Sequence, residues 1–95
     1  MEEALFVGYR SFNFTDNQGK KVEGVTLFLL QPLKKGDGVK GYQPVTIYDR
    51  FNNRMKFPSV SYEFFKTSCL ADMKPNTPIL VTFDRNNKII EVKTK

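Results

Sequence analysis

The stretch that most restricts the fold lies near the start of the chain, where two runs of aromatic and branched residues flank a single turn. Leu5 to Phe14 alternates. Phe6, Arg10, Phe12 and Phe14 fall on one face with Gly8 among them, and Leu5, Val7, Tyr9 and Ser11 fall on the other. That two-residue period is the signature of a β-strand, and a glycine inside it marks a bulge or a sharp coil. Thr15 to Lys20 is a turn cluster in which Gly19 takes a positive φ without steric cost. Lys21 to Gln31 then reads as a second long strand, with Val25, Leu27 and Leu29 on one face and Thr26, Phe28 and Leu30 on the other. Both faces are apolar near its end, which runs that end into a core. So short a connection makes the pair a hairpin.

Beyond the hairpin the pattern breaks. Pro32 to Gly41 is a flexible loop punctuated by Gly36, Gly38 and Gly41 and charged by Lys34, Lys35 and Lys40. Gln43 to Asp49 reads as a third strand, and Pro44 puts its beginning at a sheet edge. Ser59 to Leu70 is the one credible helix, capped by Ser59 or Ser61, and its weak helix formers limit it to one or two turns. Ile79 to Phe83 and Ile89 to Lys93 are a fourth and a fifth strand, joined by the turn Asp84 to Lys88. The 95 residues suit a single domain, 1–95. The element order predicts a mostly β fold: a five-stranded OB-like Greek-key barrel with one short helix between strands 3 and 4. An SH3-like barrel is the competing arrangement.

Composition narrows the function. Histidine is absent and Cys69 is the only cysteine, so no intramolecular disulfide forms and no four-ligand zinc site is expected. With no histidine beside it, Cys69 reads as a core residue on a buried helical face rather than a nucleophile. No nucleophile elbow, phosphate loop or metalloprotease motif is present, so neither an enzyme nor a cofactor is expected. Met1 to Ala4 lacks a basic signal region, and the apolar run Ala4 to Val7 is too short for a membrane span. A cytoplasmic, reducing location without membrane contact is therefore expected. Fifteen Lys and Arg against ten Asp and Glu leave a net charge of +5, which favours polyanionic partners.

The stretches FVGYRSFNFTDNQGKKVEGVTLFL, GYQPVTIY and LADMKPNTPILVTFDRNNKIIEV carry a resemblance in strand order and composition. From about Leu5 to Val92 the chain resembles the small OB-fold single-stranded DNA-binding proteins of phages and mobile elements, such as the helix-destabilising proteins of filamentous phages. The resemblance implies a ligand face built from strands two and three with the loops beside them. It also implies a homodimer or cooperative array, since one small barrel covers few nucleotides.

The residues themselves offer cations interleaved with aromatics, as single strands require: phosphates along a basic groove, bases stacked on flat side chains. The candidate contacts are Tyr9, Arg10, Lys20, Lys21, Lys34, Lys35, Lys40, Tyr42, Tyr48, Arg50, Phe51 and Arg54. Phe51, in a polar segment between Arg50 and Arg54, is the best single stacking candidate. Phe6, Phe28, Phe64, Phe65 and Phe83 read as core. The function expected is sequence-tolerant binding of single-stranded DNA. RNA is not distinguished, because nothing here reads a 2′-hydroxyl. The alternative is a small protein-interaction module, an inhibitor or assembly subunit, in which the exposed aromatics are hot spots.

Overall fold

The computed structural model describes residues 1–34, 36–49 and 52–95. The expected hairpin is its backbone: β1 (Glu2–Thr15) and β2 (Lys21–Pro32) pair antiparallel from Thr15↔Lys21 to Leu5↔Leu30. The turn between them closes on Asp16, whose Oδ1 accepts the backbone N–H of Gln18 at 2.9 Å and of Lys20 at 2.8 Å. Gly19 supplies the positive φ of 78°. The register shifts between Phe6 and Gly8, so the bulge expected at the glycine is present, with Val7 as the extra residue. A bulge transfers every later side chain to the opposite face. Phe6 therefore shares its face with Tyr9 and Ser11, and Leu5 shares the other with Arg10, Phe12 and Phe14. This corrects the simple alternation read across the whole strand.

The third strand is not continuous. β3 (Tyr42–Pro44) pairs with the end of β2 at Pro32↔Tyr42, and Val45 N–H donates to the Leu29 carbonyl at 2.9 Å. The chain then leaves the sheet as a small separate hairpin, β4 (Ile47–Asp49) with β5 (Arg54–Lys56). It returns through Pro58, whose carbonyl accepts Leu27 N–H at 2.9 Å, to β6 (Ser59–Val60), which pairs with Thr26 and Val25. Residues 42–45 and 58–60 thus occupy successive positions along one edge of β2, with the β4–β5 hairpin lying outside that edge between them. The single strand Gln43 to Asp49 expected from sequence is corrected accordingly.

The helix is shorter than expected, α1 (Tyr62–Thr67), because Ser59 and Val60 are drawn into the sheet. Ser61 caps it, accepting Phe64 N–H on its hydroxyl at 3.2 Å, and Glu63 in the first turn suits the helix dipole. Ser68 turns extended and ends it, then caps a 3-10 turn over Cys69–Asp72 through Leu70 N–H at 3.2 Å. β7 (Thr77–Phe83) follows and pairs with β1, and β8 (Ile89–Thr94) pairs with β7.

The main sheet runs β3-β2-β1-β7-β8. Three consecutive strands followed by one that returns beside the first is the Greek-key order. The sheet is nevertheless open. Among the described residues β3 pairs only with β2 and β8 only with β7, so the closed barrel expected from the element order does not form. One face carries the core: Phe6, Val25, Leu27, Leu29, Ile79 and Val81, covered by Phe65 of α1 and Leu70 of the 3-10 turn. Burying each of these side chains contributes about 1.5–3 kcal/mol. Phe64 and Phe83 pack partly buried against this cluster. Cys69 is exposed, not buried. The 3-10 turn aims Leu70 inward and leaves the thiol at the rim, 3.8 Å from the Val92 carbonyl. No helix among the described residues is long and apolar enough to cross a membrane.

Candidate nucleic-acid interface

Residues directly opposite one another in a ladder share a face, so the register defines the side of the sheet away from the core. Along the β1–β2 pair that outer face carries Phe14 opposite Val22, Phe12 opposite Gly24, Arg10 opposite Thr26, then Phe28, Leu30 opposite Leu5, and Pro32 opposite Tyr42. Phe28 is therefore not a core residue. Its ring lies on the outer face, half-buried, against Phe57 just before β6, with centroids 5.3 Å apart and ring planes at 68°. Both faces of β2 are apolar, and alternation alone does not say which one is covered. Phe14 is 53% exposed, Phe57 42% and Tyr42 62%. Phe12 and Phe14 stand side by side with centroids 6.1 Å apart. Gly24 makes room for this row: a Cβ there would lie 2.8 Å from Phe12 Cζ and 2.9 Å from the Val60 carbonyl oxygen.

Where the sheet fails to close, a cleft of about 1040 Å³ opens between its two edges. On one side stand Ile47, Tyr48, Asp49 and Lys56 of the β4–β5 hairpin, with Ser59 to Ser61 and Phe64. On the other stand the β7–β8 turn, Arg85 to Lys88, and Ile89. Phe12 reaches its rim. The cations are Lys56, Arg85 and Lys88. The Lys56 ammonium is held 3.7 Å from the buried Asp49 carboxylate, which also accepts Asn52 Nδ2–H at 2.7 Å. The Tyr48 hydroxyl donates to Asn53 Oδ1, so hairpin and ring are fixed together. The β7–β8 turn repeats the chemistry of the β1–β2 turn, with Asp84 Oδ1 accepting Asn86 N–H at 2.8 Å and Lys88 N–H at 2.9 Å. Among the described residues no group of three or more His, Cys, Asp and Glu is gathered to hold a metal ion.

The residues singled out in the sequence divide between several places. Arg10 and Tyr42 lie on the outer face. Tyr9 lies on the opposite face, its ring packed on Phe65. Lys20 and Lys21 are exposed at the tip of the β1–β2 ribbon. Lys34 and Lys40 flank the loop at the far end of β2, about 35 Å away at strand rise. Tyr48 and Arg54 belong to the β4–β5 hairpin, Tyr48 at the cleft. Lys35, Arg50 and Phe51 lie outside the described residues. Sequence reasoning did not include Phe12, Phe14, Phe28, Phe57, Lys56, Arg85 and Lys88 in the site. The signal for the last two was available, since the turn between the final strands borders the ligand face of an OB-like barrel. Comparison with known families, curated proteins and solved structures finds no match for this chain.

Proposed function

We propose that this protein binds single-stranded DNA without sequence preference and catalyses nothing. The observation that carries the reading is the row of rings on the outer face of the sheet, Phe14, Phe12, Phe28 with Phe57, and Tyr42, with Arg10 among them. An aromatic row open to solvent costs solubility, and on a basic chain its natural occupant is a strand whose bases stack and whose phosphates meet cations. The cleft adds Lys56, Arg85 and Lys88 at the sheet's open seam.

The fold reading that accompanies this is an OB-like barrel, partly open at that seam. Counting residues 42–45 and 58–60 as one third strand gives five strands in the order third, second, first, fourth, fifth, four of them in Greek-key arrangement. In this reading the protein works in the cytoplasm, in the manner of phage helix-destabilising proteins, and copies associate along the strand because one such domain covers few nucleotides.

The test is a fluorescence-anisotropy titration of labelled oligo-dT and of duplex DNA at rising salt. Oligo-dT is expected to bind more tightly than duplex and to weaken steeply with salt. Failure to bind either at low salt would leave the exposed rings as hot spots for a protein partner instead.

A further inference from the structure

The outer row has a direction and a spacing, and both bear on the form of strand it accepts. Phe14, Phe12 and Arg10 follow one another along β1, and the same face continues through Phe28 to Tyr42 opposite Pro32. Same-face residues on one strand are two positions apart, about 6.7 Å, and the Phe12 and Phe14 ring centroids are 6.1 Å apart. That is nearly twice the rise of about 3.4 Å per nucleotide along one strand of B-DNA. Successive bases reach successive rings only when they are unstacked from one another and the strand is stretched. A base pair stack cannot be drawn out in that way without breaking.

We propose that the row is a ladder for an extended, unstacked single strand lying lengthwise along β2, from the ribbon tip at Phe14 to Tyr42 at the other end of the sheet. This rests on the single-strand reading above and specifies its geometry. Val22 to Pro32 spans about 33 Å at strand rise, which at twice the B-form rise holds roughly five or six nucleotides. The competing path crosses the strands and enters the cleft between Tyr48 and Arg85. It makes no use of Phe14, which stands on the ribbon beyond the last residue of β1 that pairs with β7.

The chain contains no tryptophan, so Phe14→Trp and Tyr42→Trp each install a unique fluorescent ring at one end of the row while keeping an aromatic there. Each variant is titrated with oligo-dT over roughly 4 to 16 nucleotides, the range of OB-fold site sizes. Both tryptophans are expected to be quenched at one strand per protein once the strand is long enough to span the row. In Phe14→Ala the affinity for long strands should fall on the order of tenfold, with the shortest strands affected least. If the wild-type protein binds oligo-dT but the Phe14→Trp variant shows no quenching and Phe14→Ala binds as wild type, the lengthwise path is wrong. Loss of affinity in Arg85→Ala with Lys88→Ala would then mark the path through the cleft. If the wild-type protein does not bind oligo-dT at all, the single-strand reading falls, and the ladder with it.

Discussion

Tyr9 packs its ring against Phe65, centroids 4.7 Å apart and planes at 56°, while its neighbour Arg10 projects from the opposite face of the same strand. Tyr9 is still 49% exposed, so exposure alone would class it as a surface platform. Its contact with α1 makes it part of the cover over the core. Tyr9→Ala is expected to lower stability by about 1–2 kcal/mol, less than the loss of a fully buried ring, and to leave oligo-dT affinity within about twofold. Urea unfolding together with anisotropy separates the two. A large affinity loss at an unchanged unfolding midpoint would return Tyr9 to the binding surface.

Phe57 answers in the opposite sense. Its ring meets Phe28 edge to face on the outer side, where a base has access. Phe57→Ala should weaken oligo-dT binding on the order of tenfold, the effect of losing one stacking partner, and lower the melting temperature only slightly. A melting point that falls by many degrees with normal affinity would mean that Phe57 supports the sheet rather than the ligand.

Gly24 tests whether the row depends on backbone clearance. Gly24→Ala would place a methyl 2.9 Å from the Val60 carbonyl oxygen, a backbone atom that moves only with β6, and 2.8 Å from the Phe12 ring, which swings more easily. The cost expected is about 1–3 kcal/mol, read as a lower melting temperature, together with a displaced Phe12 and weaker oligo-dT binding. Unaltered stability in this variant would show that β6 is not held as tightly to β2 as their pairing implies.

Lys34 and Lys40 flank the loop beside Tyr42. Replacing both with alanine is expected to weaken binding to all single strands alike. It should also flatten the dependence of log K on log salt by about 0.7 for each phosphate that the loop no longer neutralises. An unchanged slope would remove this loop from the interface.

Much of the sheet was legible because local signals there are strong. An Asp-led turn, alternating branched residues and a capping serine act over a few residues and leave their marks in order. Two features were not legible, for physical reasons. The bulge was signalled by Gly8, but its effect is non-local: one extra residue reverses the facing of everything beyond it, which puts Tyr9 on the core side and Arg10 on the outer face. The interruption of the third strand left no mark, because Val45 and Ile47 continue the same alternation on either side of the point where the chain leaves the sheet. The site suffered most from the first effect. Phe12 and Phe14 are evident as aromatics, but their alignment with Phe28 and Tyr42 follows only from the register of β1 on β2.

The split edge of β2 also bears on how the protein can change. Leu29 and Leu27 bond Val45 and Pro58, so the chain departs and re-enters across a gap of about one strand position. Deleting the sequence between Val45 and Pro58 and joining the two through one or two glycines should therefore restore an uninterrupted strand over the same core. Such a shortened chain is expected to melt cooperatively, near the temperature of the parent. Folding and the furnishing of the cleft would then be inherited as separate parts, and the excursion could be exchanged for another of different length or charge, retuning what the seam accepts while the sheet beneath it stays as it is.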